Sequence, residues 1–123
     1  MKAYKIEVSP YDVEIKKMLP DGTEETTKRT VAVRYFLPRH LCNADFGSRI
    51  EGNRGIPHKD FDLMVLGPIA QKIEQEKNSH VVVSKEEWEA LKKRVQVIST
   101  YFGYDSFEMF RRVMDAEAIE VTA

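Results

Sequence analysis

The chain has 123 residues, and 42% of them are hydrophobic, enough for one domain with a core of its own and no disulfide staples. Its 19 Lys and Arg nearly balance 20 Asp and Glu, a formal net charge of −1 that argues against a strongly basic nucleic-acid binder and against an acidic tail. One cysteine excludes an internal disulfide and fits a reducing compartment, no stretch approaches the ~20 apolar residues of a membrane span, and Met1-Lys2-Ala3-Tyr4-Lys5 opens no apolar signal region. These features predict a single cytoplasmic domain, 1–123, that does not enter a membrane.

Residues 2–8 alternate around Ile6 and Val8, a short strand that Pro10 interrupts. Tyr11, Val13, Ile15 and then Lys17 face one way between Tyr11 and Met18, with Asp12, Glu14 and Lys16 between them, a half-buried strand. Pro20-Asp21-Gly22 is a turn, because proline presets φ and glycine accepts a positive φ. The β-rich run 26–36, with Val31, Val33 and Tyr35 alternating, completes a hairpin with 11–18. Pro38 ends that strand, and Arg39 to Asn43 form a helical turn with Pro38 at its first position.

Residues 43–59 then lose periodicity: Gly47, Gly52, Gly55 and Pro57 lie among Arg49, Glu51, Asn53, Arg54, His58 and Lys59. An irregular loop of that length in a small domain is either functional or ordered by a partner. Asp60 caps a helix over 60–76 with Phe61, Met64, Val65, Ile69 and Ile73 inward and Leu63, Leu66 and Ala70 widening that face, which kinks at Pro68 or restarts there, since a mid-helix proline costs ~3 kcal/mol.

Val81-Val82-Val83 is a buried strand. Ser84 and Glu87 make a Ser-x-x-Glu capping box, and Trp88, Leu91, Val95 and Ile98 form one helical stripe, with Lys92-Lys93-Arg94 as a solvated charge run. Trp88 packs on the 81–83 strand. After an aromatic break, Asp105 or Ser106 caps a last helix with Phe107, Phe110, Val113 and Met114 inward. Residues 118–121 form a final strand that pairs with 81–83 or lies on an edge. The sum is an α+β fold: an N-terminal β-hairpin or small antiparallel sheet packed against about three helices, at 60–76, 85–98 and 106–115.

No catalytic constellation emerges. His40-x-Cys42-x-x-Asp45 with His58 holds metal-ligand types, but a zinc site needs about four ligands in paired short spacings. Cys42 is a small buried hydrophobe on this reading, not a nucleophile, since no base or oxyanion donors accompany it in sequence. The glycines at 47, 52 and 55 lack the Gly-Lys-Ser/Thr of a phosphate loop. No enzymatic activity, metal or cofactor is expected.

Two groups of residues remain as partner-binding candidates. Arg39, Arg49, Asn53, Arg54, His58 and Lys59 supply donors suited to carboxylates or phosphates. Tyr101, Phe102 and Tyr104 are too many aromatics to bury together before the last helix, and they mark a protein interface. The favoured partner is a protein, which a second copy of the chain could be; nucleic acid, held by the basic loop, is the alternative.

The hairpin with Val33-Arg34-Tyr35-Phe36-Leu37, then Ile69-Ala70-Gln71-Lys72-Ile73, then Val81-Val82-Val83-Ser84-Lys85-Glu86-Glu87-Trp88 and the helix with Arg111-Arg112, resembles in order the small accessory proteins of tailed bacteriophages and prophages. That resemblance implies a non-enzymatic protein that works by binding other proteins, often within a larger assembly. It carries over no functional residue, and the 43–59 loop departs from its pattern.

The loop reading has a direct test. Replacing residues 47–56 by a short Gly/Ser linker should leave the fold intact, because loop length contributes little to closure entropy. Partner binding should be lost; binding that survives unchanged would move the contact to the aromatics.

Overall fold

The computed structural model describes residues 1–43 and 62–121. Strand β1 (Lys2–Glu7) is central in a three-stranded antiparallel sheet, between β4 (His80–Ser84) and β5 (Glu117–Glu120). Tyr4 pairs with Val83 on one side and with Ala118 on the other. The last strand therefore lies on an edge, beside β1 and not beside 81–83. Ile6, Val81 and Val83 point to one face and are buried, while Val82 on the other face is exposed. That alternation is the period-2 pattern of a sheet covered on one side.

Strands β2 (Tyr11–Met18) and β3 (Glu24–Val31) form a separate two-stranded ribbon. Its turn is built as its residues require. The Leu19 amide donates to the Thr23 carbonyl at 2.8 Å, the Gly22 amide to Leu19 at 3.0 Å, and Gly22 takes φ +86°. Asp21 accepts from the Thr23 hydroxyl at 2.6 Å and from its amide at 3.0 Å; these bonds hold its carboxyl below the ordinary carboxylate value.

The hairpin stops sooner than the alternation predicts. Residues 33–36 belong not to a strand but to α1 (Val33–Leu41), and the expected turn at 39–43 is that helix's end. Val33, Leu37 and Leu41, at steps of four, are all buried, whereas Tyr35 is exposed. The same letters satisfy a strand period locally and a helix period over nine residues; packing chooses the second. Pro38 sits inside this helix and cannot bond the Arg34 carbonyl. Burial of Leu37, Pro38 and Leu41 offsets that loss.

Helix α2 (Leu63–Gln75) is capped by Asp62, whose side chain accepts from the Met64 amide at 3.0 Å. The expected cap, Asp60, lies outside the described residues, as does Phe61. The helix runs through Pro68 without restarting. The carbonyl that Pro68 leaves unbonded is that of Met64, a residue 82% exposed and so open to water. Its inward stripe is Leu66, Ile69, Ala70 and Ile73; Leu63, Met64 and Val65, in the first turn and expected on the inward face, are exposed.

Helix α3 (Lys85–Ile98) carries both bonds of the capping box, Ser84 amide to Glu87 carboxylate at 2.8 Å and Glu87 amide to Ser84 hydroxyl at 3.1 Å. Leu91, Val95 and Ile98 are buried as the stripe predicts. Arg94 is not on a solvated face: it is 0% exposed, donating from Nε to the Leu41 carbonyl at 2.9 Å and from a terminal nitrogen to the Asn43 carbonyl at 2.5 Å. Trp88 is half-buried, and its ring packs on β1. Its ring stacks on Tyr4 at 3.8 Å, its Nε1 donates to the Val113 carbonyl at 2.8 Å, and Lys92 covers it at 3.5 Å.

Two short 3-10 turns, Ser99–Tyr101 and Tyr104–Ser106, lead into α4 (Phe107–Met114). Ser106 takes the N-cap position without a side-chain bond. Met109, Phe110 and Val113 are buried, but Phe107, expected inside, is exposed. Among the described residues no helix is long and apolar enough to cross a membrane.

Trp88 links β1, α3 and α4, and its two kinds of contact can be separated. Trp88→Ala should cost about 3 kcal/mol, the low end for a large aromatic because the ring is only half-buried. Trp88→Phe keeps the stack, loses one hydrogen bond and should cost about 1 kcal/mol. Urea unfolding measures both; equal losses would mean the stack on Tyr4 contributes nothing.

Candidate functional site

The connection from α3 to α4 builds the site. Between the two 3-10 turns, Phe102 (φ −119°, ψ 153°) and Gly103 (φ −91°, ψ −171°) are extended. The chain thereby steps outward between the two turns. Phe102 turns inward, its ring 4.3 Å from that of His40 and 5.3 Å from that of Phe110. Tyr104 turns outward, 84% exposed, parallel to the ring of Phe107 at 6.2 Å; Phe107 is itself 59% exposed.

Between this connection and α4 lies an open cleft of about 660 Å³. Val95 and Phe110 are its buried floor, Phe102 and Met114 its half-buried wall, and Tyr104 and Phe107 its exposed rim. Gln96, Arg111 and Asp115 are the polar margin. Arg111 is clamped by both oxygens of Glu108, at 2.8 and 2.5 Å, and reaches Asp115 at 3.9 Å. Hydrogen bonds from Arg111 and Arg112 hold the Glu108 carboxyl below its ordinary value against a smaller opposing effect of burial. The rim is thus charge-neutralised within itself, which leaves apolar contact as the cleft's main chemistry.

A second depression, about 400 Å³, opens on the other side of the Tyr104–Phe107 pair. Tyr11, Asp12 and Val13 of β2 face Glu108 and Arg112 across it. The base of the ribbon is tied down here. The Tyr11 hydroxyl donates to the Asp105 carbonyl at 2.6 Å, Arg29 meets the Asp105 carboxylate at 3.4 Å, and Arg112 donates to the Ser9 carbonyl at 2.6 Å and lies 5.0 Å over the Tyr11 ring. Burial pushes the Tyr11 phenol above its ordinary value.

Of the nine partner-binding candidates, the structure places Phe102 and Tyr104 at the cleft. Tyr101 is half-buried and does not line it. Arg39 is elsewhere, on α1, bonded to the Tyr35 carbonyl at 2.7 Å, stacked on the Tyr35 ring at 3.7 Å and 3.5 Å from Glu74 of α2. Arg49, Asn53, Arg54, His58 and Lys59, with the rest of 44–61, lie outside the described residues. Phe107, Val95 and Met114 join the cleft without having been singled out.

The chemistry-bearing side chains elsewhere are quiet. Burial raises the Cys42 thiol above its ordinary value, with Arg94 opposing, so the thiolate is scarce. The Ser79 hydroxyl and His80 Nδ1 are 2.9 Å apart in an exposed turn, where water competes for both. Among the described residues no group of three or more His, Cys, Asp or Glu is placed to hold a metal ion. No family model matches the chain, and no curated protein or solved structure matches it.

His40 sits under the cleft wall, and burial pushes its imidazole below the ordinary value of about 6.5. As pH falls past about 6.5 the unfolded chain takes the proton first, so stability is full above that pH and declines toward the lower folded value. The melting temperature should therefore fall between about pH 7.5 and 5.5, and fall less in His40→Phe, which keeps a ring beside Phe102. The carboxylates lowered by hydrogen bonds, Glu87 and Glu108, act only below about pH 4.5. Identical falls in wild type and variant would show that His40 does not titrate with unfolding.

Proposed function

We propose that this protein is a non-catalytic interaction module that takes an apolar segment of a partner protein into the cleft between α3 and α4. The observation that carries the reading is the Tyr104–Phe107 pair: two large aromatics, parallel and exposed, at the mouth of a concave apolar surface. Exposed apolar patches of this kind mark binding surfaces, and a groove between helices suits the apolar face of an amphipathic helix, read as anchors at i, i+3 or i+4, and i+7. A tailed-phage or other mobile-element setting is part of the proposal. It rests on the order of elements, with Val33-Arg34-Tyr35-Phe36-Leu37 now a helix where the resemblance has a hairpin end.

Nucleic acid held by the described arginines is the weaker reading. Each described arginine already holds an internal partner: Arg29 Asp105, Arg34 the Asn78 carbonyl, Arg39 Glu74, Arg94 two carbonyls, and Arg111 and Arg112 Glu108. A phosphate would have to displace those contacts before gaining from them.

Selection of a random peptide library against the protein tests the proposal. Recovered peptides should carry apolar residues at helical spacing, and Phe107→Asp should weaken their binding at least tenfold. The variant should unfold within about 0.5 kcal/mol of wild type, as exposed sites do. Peptides that bind Phe107→Asp equally well, or a library that yields none, would overturn the reading; gel-shift binding with a steep salt slope would favour nucleic acid.

A further inference from the structure

The ribbon β2–β3 is an arm. Its strands of eight residues span about 27 Å, and past Val13 on one strand and before Val31 on the other every residue is exposed. A two-stranded ribbon is marginal alone, and its outer edges carry unpaired backbone groups. Three features of the β2 edge say what covers it.

The first is charge order. β2 has Asp12 and Glu14 in its first half and Lys16 and Lys17 in its second. A strand polarised this way sets unlike charges opposite one another when it pairs antiparallel with itself. The second is hydrogen-bond parity. Leu19 bonds Thr23 across the turn, so the odd-numbered residues of β2 bond inward to β3, and the amides and carbonyls of Asp12, Glu14, Lys16 and Met18 point out. With a two-fold axis at Ile15, Glu14 of one strand faces Lys16 of the other, twice, and these are residues whose backbone groups are free to bond. Ile15, 42% exposed, meets its own copy on the axis.

The third is where the tip lands. In that register Lys17 lies opposite Val13, and Leu19 opposite Tyr11. Tyr11 and Val13 border the depression shared with Tyr104 and Phe107, which opens on the β2 side of the ribbon. The β3 side is different, with Arg29 and Val31 over Phe36 and His40. Leu19 of one arm therefore comes down beside the exposed aromatics of the other chain.

We infer that two copies of this chain pair through the β2 edges of their arms, antiparallel with Ile15 on the two-fold axis, to make a four-stranded sheet whose tips cover the Tyr104–Phe107 depressions. The contact is isologous, so it closes at two copies. Held by one strand edge and one tip from each chain, it dissociates on dilution. The inference shares the Tyr104–Phe107 pair with the cleft reading, because those two residues line both hollows, and it is tested apart from that reading through Lys16 and Ile15, which do not line the cleft.

Sedimentation equilibrium over a range of concentrations should show a monomer–dimer equilibrium. Lys16→Glu puts Glu14 opposite a glutamate and should weaken the dimer at least tenfold; Lys16 pairs with Thr26 inside the ribbon, so the melting temperature of the monomer should not move. In a Cys42→Ser background, Ile15→Cys should oxidise to a covalent dimer, since non-hydrogen-bonded partners approach to about 4.5 Å between Cα atoms. Thr27→Cys, at the matching place on the β3 edge, should stay monomeric under the same oxidant. A protein that is monomeric at every concentration, a dimer indifferent to Lys16→Glu, or equal cross-linking at Ile15 and Thr27 would overturn the inference and leave the β2 edge to a different partner.

Discussion

The Arg94 guanidinium is a formal charge with no exposure, held in the middle of α3. Removing such a group from water costs several kcal/mol unless hydrogen bonds replace its hydration. Its bonds go to the carbonyls of Leu41 and Asn43, at the end of α1, where the helix leaves acceptors unsatisfied and its dipole is negative. The orphan acceptors and the buried donor answer each other. The distance between α1 and α3 is set by that match, together with Leu37, Leu41 and Leu91 packed around it.

The site depends on this placement. With α1 held against α3, its outer ring of Phe36 and His40 reaches the α3–α4 connection, and His40 meets Phe102 at 4.3 Å. Phe102 then packs on Phe110, which seats α4 and leaves the cleft between them. Arg112 plays the corresponding part on the opposite flank. Its side chain, mostly buried, joins Glu108 and Glu7 to the Ser9 carbonyl and the Tyr11 ring, and so aims the ribbon. Two arginines thus orient the elements, and the cleft left open between them is lined mainly by aromatic and apolar side chains.

The ribbon shows how a small domain can carry an element with little core of its own. Tyr11, Val13 and Val31 at its base pack on the core cluster and Arg29 meets Asp105, while the ribbon beyond them is held by its own ladder and turn. Opposed pairs along the ladder, Glu14 with Lys28 and Lys17 with Glu25, are complementary in charge. Threonines at 26, 27 and 30 suit an exposed strand by β propensity alone.

What the sequence determined by itself was local. The Ser84–Glu87 capping box, the Pro20-Asp21-Gly22 turn and the strands around Ile6, Val13 and Val81 rest on interactions spanning a few residues, so the letters specify them wherever the chain goes. The stripe of Leu91, Val95 and Ile98 was legible for the same reason. Even Arg94 lay on it, three residues from Leu91 and four from Ile98, but its type argued for water and only the Leu41 and Asn43 carbonyls, more than fifty positions away, reversed that. Residues 33–36 fit two periods, and the helix won through Val33, Leu37 and Leu41 packing on distant elements. Of the interface candidates, Tyr104 was legible from the surplus of aromatics; that Tyr101 stays out of the cleft and Phe107 stands at its rim was not. Exposure depends on what comes to lie against a side chain. That is decided by tertiary contacts, which a local pattern does not contain.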